Sequence, residues 1–211
     1  MIVLQEHRDG RQSVRVMQSR ADGARSYYDG VVLYTQVDAG GNNLLTYIDA
    51  MVGALSSAAD TLILGIAGGA LATQLHRRGA TVTAVDIWGP AFDLARRWFD
   101  LPDAVNCIQA DAADFLRGTE LRWDAIAIDV FQGVEIPPSM LGHDIGGLLH
   151  RALAPEGRVV WNVADTPGSL PVRRVCRILQ SAGLDTKTHS VLDGGVGNTL
   201  VVGQLQTVTA P

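Results

Sequence analysis

Thr61-Leu-Ile-Leu-Gly-Ile-Ala-Gly-Gly-Ala-Leu-Ala-Thr-Gln-Leu75 is the stretch that decides the fold. The apolar run Leu62, Ile63, Leu64 stops at Gly65, the glycines Gly68 and Gly69 follow, and helix formers take over. This reads as a strand, a tight turn and a helix start, the arrangement that sets backbone N–H groups and a helix N-terminus against a ligand. A second run, Ala80-Thr-Val-Thr-Ala-Val-Asp86, ends in an acid 21 positions after Gly65. An acid in that place accepts hydrogen bonds from ribose hydroxyls. The pair points to a nucleoside-containing cofactor. A nicotinamide dinucleotide is disfavoured, because its turn expects Gly-x-Gly-x-x-Gly and Gly65-Ile66-Ala67-Gly68-Gly69 breaks that spacing.

Outward from this stretch, strands and helices alternate. Strands are expected at 61–65, 80–86, 104–109, 123–129, 157–163, 184–192 and 198–205, and helices at 70–78, 89–99, 112–117, 141–152 and 170–182. Alternation of this kind builds a parallel sheet covered on both faces. The segment Ala154-Pro-Glu-Gly157 reads as a stop between a helix and the Val159-Val-Trp161 strand. The last two strands, joined by Asp193-Gly-Gly-Val-Gly197, have no helix between them and should form an antiparallel hairpin. Upstream, Ile2-Val3-Leu4, Ser13-Val-Arg-Val-Met17 and Val31-Val-Leu-Tyr34 are short β-type runs. They are separated by Arg8-Asp9-Gly10, Ala21-Asp22-Gly23 and Tyr28-Asp29-Gly30, and Asp-Gly is a strong hairpin signal. A small antiparallel β unit over 1–40 is expected, then a break at Asp38–Asn43 and an amphipathic helix through Leu45, Ile48, Met51, Val52 and Leu55.

Composition narrows the function classes. The chain has 211 residues, 47% hydrophobic and 18% charged, a globular balance with length enough for a full core. Its 17 basic and 22 acidic residues leave a net charge of -5, which argues against a nucleic-acid partner. Lys187 is the only lysine, so Schiff-base chemistry is not expected. Cys107 and Cys176 read as buried reduced thiols, and no zinc spacing is present, so no metal is expected. Charge at Glu6, Arg8 and Asp9 interrupts any secretory core, and no apolar run approaches the roughly 20 residues that span a bilayer. A cytoplasmic protein with no membrane partner is the expectation.

Four segments then line up as successive motifs: Leu62-Ile-Leu-Gly-Ile-Ala-Gly-Gly69, Val85-Asp86-Ile87, Ala110-Asp111-Ala-Ala-Asp114 and Ala127-Ile-Asp129. With Gln109-Ala-Asp-Ala-Ala-Asp-Phe-Leu116, Trp123-Asp-Ala-Ile-Ala-Ile-Asp-Val-Phe131 and Tyr28-Asp-Gly30, they resemble the spermidine synthase-like branch of class I S-adenosylmethionine-dependent methyltransferase-fold proteins. The resemblance implies an α/β, Rossmann-like fold: a seven-stranded sheet with its last strand antiparallel, behind the small N-terminal antiparallel β unit. It divides the chain into that unit at 1–40 and an S-adenosylmethionine-binding α/β domain at 41–211. It also implies S-adenosylmethionine or its decarboxylated form as cofactor, a small-molecule acceptor, and a homodimer.

On this resemblance Gly65, Ala67, Gly68 and Gly69 let the backbone approach the cofactor, Asp86 takes the ribose with Ile87 against the adenine, and Asp111 with Ala112 reads the adenine edge. Asp111 has a competing reading as a helix N-cap. Asp129 is expected at the reaction centre, touching cofactor and acceptor, with Tyr47 and His143 as further catalytic candidates. Asp49, Gln132 and Asn162 are the acceptor-binding candidates, and Trp88 is the tryptophan expected nearest the adenine. Three departures stand out. The family's acid in the glycine turn is replaced by Gly68, the second acid and proline of its later loop by Gln132 and Gly133, and its early glutamine is matched only by the displaced Gln36. Loss of acids that pair with ammonium groups favours methyl or other alkyl transfer to a small molecule. Aminopropyl transfer is the alternative, and a non-catalytic nucleoside-binding or dimerising protein the third reading.

Overall fold

The computed structural model describes residues 1–8, 13–193 and 196–205, so the expected turns at Asp9-Gly10 and Gly194-Gly195 lie outside the described residues. The first four strands, β1 (Ile2–Arg8), β2 (Ser13–Gln18), β3 (Arg25–Asp29) and β4 (Val32–Val37), form an antiparallel meander. Period-2 burial of Val14 and Val16 marks the inner face of β2. Strand β3 is absent from the expected runs, because Arg25-Ser-Tyr-Tyr-Asp29 has no aliphatic signature; burial of Ser26 and Tyr27 makes it a strand. Helix α1 (Thr46–Ala54) follows and buries Ile48, Met51 and Val52.

The remaining elements are β5 (Asp60–Leu64), α2 (Ala70–Arg77), β6 (Thr81–Asp86), α3 (Pro90–Phe99), β7 (Asn106–Gln109), α4 (Ala112–Gly118), β8 (Trp123–Ile128), α5 (Ile145–Ala152), β9 (Leu153–Val163), α6 (Leu170–Ser181), β10 (Leu184–Asp193) and β11 (Val196–Leu205). The seven strands from β5 onward make one sheet in the order β10-β11-β9-β8-β5-β6-β7. Strands β5 to β9 pair in parallel, and β11 enters antiparallel between β9 and β10. This is the expected Rossmann-like sheet. From β5 the chain winds outward through β6 to β7, then returns to place β8 on the other side of β5. The reversal opens a crevice between the C-terminal ends of β5 and β8, the point where open α/β sheets bind ligands.

Three sequence expectations shift. The Pro155-Glu-Gly segment is not a stop before a strand: α5 passes directly into β9, and the segment lies inside the strand, with Glu156 at φ 62°. The register shift between Trp123 and Ala125 absorbs the extra residues as a bulge. The expected helix over 141–152 is a short 3-10 turn (Pro138–Leu141) followed by α5, because Gly142 adopts an extended conformation between them. Cys107 and Cys176 are free and half-buried, not fully buried as expected. Among the described residues no helix is long and apolar enough to cross a membrane.

One face of the sheet packs against α1, α2, α3 and the N-terminal strands, the other against α4, α5 and α6. Polar contacts close the seam with the N-terminal sheet: Trp98 Nε1 donates to Gln5 at 2.8 Å and Arg25 pairs with Asp100 at 3.0 Å. Deeper in, Thr35 accepts the Gly68 N–H on its hydroxyl at 3.0 Å while only 2% exposed. A Cβ at Gly68 would meet the Thr35 Cβ and Cγ2 at 2.8 Å. Gly68→Ala is therefore expected to destabilise by about 1–3 kcal/mol, read as a lower urea midpoint at unchanged slope. Gly147→Ala, in open space on α5, should stabilise by about 0.5–1 kcal/mol, read as a higher midpoint.

Candidate active site

The crevice is a cavity of about 500 Å³ walled by the β5, β6 and β8 ends, the loop after β8, and the inner side of the N-terminal sheet. Its floor is the glycine turn. Gly65 stands at φ 87°, a left-handed conformation, and any Cβ there would strike the Asp129 carbonyl oxygen. Only glycine permits this approach of the two strand ends. Backbone bonds hold it: Gly65 N–H donates to Val85 O and Asp129 N–H to Leu64 O, both at 2.8 Å.

Asp86, at the end of β6, accepts the Ile66 N–H on Oδ2 and the Trp88 N–H on Oδ1, each at 2.9 Å. Burial raises its carboxyl above the ordinary value, and the N–H bonds pull back against that. Ile87, 62% exposed, lies on the cavity rim. Asp111 has both of its expected roles available: Oδ1 caps α4 through Ala113 and Asp114 N–H at 2.8 and 3.1 Å, and the residue also lines the cavity beside Ala112. Trp88 lines the same wall and meets His7 edge-on with ring centroids 4.9 Å apart.

Asp129 sits just past β8, facing the cavity. Asn162 Nδ2 donates to its Oδ1 at 2.8 Å, and the Tyr47 hydroxyl lies 3.4 Å from Oδ2 and 3.0 Å from the Tyr34 carbonyl oxygen. Burial pushes the Asp129 carboxyl up to about 6, against the lowering effect of the bonds from Asn162 and Tyr47. A carboxylate that titrates near neutrality is suited to taking a proton from a reacting group. Asn162 is itself oriented by Asn198 Nδ2 at 2.9 Å.

The cavity lining does not include every expected residue. Gly65 and Ala67 border it, whereas Gly68 and Gly69 lie behind them, against Thr35 and Leu101. Gln132 is on the wall. Tyr47 and Asn162 stand behind Asp129 and touch its carboxylate rather than lining the space. Asp49 is a correction: two residues past Tyr47 it points roughly 200° round the helix. There it accepts from Asn43 and Gln74 at 2.9 and 3.2 Å, tying α1 to α2 outside the cavity. His143 is likewise outside, exposed between the 3-10 turn and α5. Gln36 bonds Ser26 within the N-terminal sheet at 3.2 Å.

The N-terminal sheet contributes three wall residues that were not site expectations, Tyr27, Asp29 and Tyr34, and the segment after β8 adds others, among them Phe131, Ser139 and Met140. Tyr34 donates to the Gly133 carbonyl at 2.5 Å, which fastens the loop after β8 over the cavity. The only sequence signal was the Tyr28-Asp29-Gly30 turn, and a turn signal does not show which way a side chain faces. Asn162 supplies a direct check on the Asp129 environment. Asn162→Ala should raise the Asp129 titration point above about 6, followed by carboxyl-carbon NMR. The same change should cost about 1–3 kcal/mol, because Asn198 loses its buried acceptor.

No family model matches the chain. Over 127 residues it is 33% identical to the polyamine aminopropyltransferase of Chromobacterium violaceum, a match over 56% of this chain and 49% of that protein. The matched region is thus about half the length of this relative. The structure is similar to spermidine synthase from Thermotoga maritima, with a TM-score of 0.78 at 11% identity, over 96% of this chain and 72% of that one. It is also similar to human methyltransferase-like protein 13 in complex with SAH, with a TM-score of 0.64 at 20% identity, over 79% and 85% of the two chains. In fold, the chain is a spermidine synthase-like form of the class I methyltransferase sheet, N-terminal β unit included.

Proposed function

We propose that the chain is a transferase that carries an aminopropyl group from decarboxylated S-adenosylmethionine to a small amine. The observation that carries this reading is the charge of the cavity. Asp29, Asp86, Asp111 and Asp129 line it, and no Lys, Arg or His does among the described residues. A donor bearing a sulfonium and an ammonium, and an amine acceptor, are both cations, and such a cavity attracts them. A donor carboxylate would meet only like charge. The sequence similarity to an aminopropyltransferase points the same way. This revises the preference for methyl transfer drawn from sequence, which counted the acids missing at Gly68 and Gln132 but not the one present at Asp29.

The residues fit a nucleoside donor. Asp86 and Ile87 would hold the ribose and one adenine face, and Asp111 with Ala112 the adenine edge. The donor, when bound, supplies an electrophilic carbon: the amine lone pair forms the C–N bond as the C–S bond breaks, its electron pair neutralising sulfur and leaving methylthioadenosine. Asp129 takes the proton that the amine must lose. Asn162 and Tyr47 hold its carboxylate in place, and Tyr34 keeps the loop after β8 closed over the site. Burial, then the charges of Asp29 and Asp129, push the Tyr34 phenol up to about 12, so it stays a neutral donor.

Methyl transfer is kept as a second reading on one observation. The glycine turn carries no acid for an aminopropyl ammonium, and Thr35 fills the space where one would stand. The test is turnover with 1,4-diaminobutane and either decarboxylated or intact S-adenosylmethionine, measuring thioether release by chromatography. Release with the decarboxylated donor alone supports the proposal. Release with the intact donor alone transfers the case to methylation, and release with neither donor overturns both. Asp129 works as the free carboxylate, so kcat/KM should climb as pH rises through about 6 and be lost below it. Asp129→Asn should cost roughly 10²–10⁴-fold in kcat while donor binding persists.

A further inference from the structure

Four carboxylates line the cavity, and three of them meet a protein donor at both oxygens. Asp86 takes a backbone N–H on each oxygen. Asp129 takes Asn162 on Oδ1 and faces the Tyr47 hydroxyl with Oδ2. Asp111 takes two backbone N–H groups on Oδ1 and the Ser139 hydroxyl, at 3.4 Å, on Oδ2. Asp29 is different. Its Oδ1 accepts the Ser13 N–H at 3.0 Å, and no donor reaches its Oδ2 among the described residues. An ionised oxygen left open on a cavity wall is a strong acceptor for a ligand cation.

Position and sterics add to this. Asp29 closes β3 at the Gly30 turn, on the N-terminal sheet, and so faces the strand ends of the parallel sheet across the cavity. Asp29, Tyr34 and Asp129 line the same cavity, and the charges of both carboxylates act on the Tyr34 hydroxyl. The glycine turn cannot offer an anion instead. Position 68 has no room for a side chain beside Thr35, whose hydroxyl already takes the Gly68 N–H.

We propose that Asp29 is the carboxylate that receives a free alkylammonium group of the ligand in this cavity, borne by the tail of the donor or by the far end of a diamine acceptor. The inference rests on the transferase reading above and adds a specificity residue to it. Asp29→Asn isolates the charge, since the amide oxygen still accepts from Ser13.

The experiment is calorimetry on the wild-type chain and Asp29→Asn with three probes. These are methylthioadenosine, which has the nucleoside but no ammonium, decarboxylated S-adenosylmethionine, and 1,4-diaminobutane added to the methylthioadenosine complex. Methylthioadenosine should bind both proteins equally, while an ammonium-bearing probe loses roughly 10- to 100-fold in affinity for the variant. Loss confined to the decarboxylated donor assigns Asp29 to the donor tail, and loss confined to the diamine assigns it to the acceptor. Unchanged affinity for all three probes overturns the inference. So does an equal loss for methylthioadenosine, which would make Asp29 a support of the turn only. A wild-type chain that binds neither nucleoside fails the transferase reading itself, a result distinct from either outcome with the variant.

Discussion

The close approach of Gly65 to the carbonyl of Asp129 is the contact on which the rest of the site depends. Strands β5 and β8 are neighbours in the sheet but lie on opposite sides of its winding reversal, so their ends diverge into a crevice. A left-handed glycine is what lets the chain leave β5 without striking β8. Once that turn is made, Ile66 N–H reaches Asp86, Asp129 N–H reaches Leu64, and three strand ends are locked at one level. The carboxylates of β6 and β8 then face a common space.

The N-terminal sheet adds a further wall to that crevice. Tyr27, Asp29 and Tyr34 form its outer wall, and Tyr34 fastens the loop after β8. The burial of Asp129 has an electrostatic consequence. Removing water from around Asp129 raises its carboxyl toward neutrality, while Asn162 and Tyr47 keep that rise to about 6. The N-terminal sheet thus supplies cavity wall as well as packing.

Much of this was readable residue by residue. Runs such as Leu62-Ile-Leu64 and Ala125-Ile-Ala-Ile128, short and set between helix patterns, read as strands buried on both faces, and acids that end such strands stand at the edge where α/β sheets bind ligands. Strand β3 was missed, because a polar and aromatic strand has no periodic apolar signature and is recognised only from its partners. Asp49 was misplaced for a related reason. A motif spacing says which residues are neighbours in sequence, but the helical rotation between Tyr47 and Asp49 sends one toward Asp129 and the other toward Gln74.

The sequence by itself determined the strand–helix alternation of a parallel sheet, the glycine turn and the acids Asp86, Asp111 and Asp129 at strand ends, because each follows from local periodicity or from a residue type that one backbone conformation requires. Tertiary structure alone decided that Asp29 and Tyr34 join them, that Asn198 orients Asn162, and that Thr35 fills the space beside Gly68. Those contacts span 33 to 99 positions of chain, and no local pattern encodes which distant side chain meets which. The charge of the cavity, and with it the kind of ligand it suits, is a sum over both sheets and exists only once they are packed together.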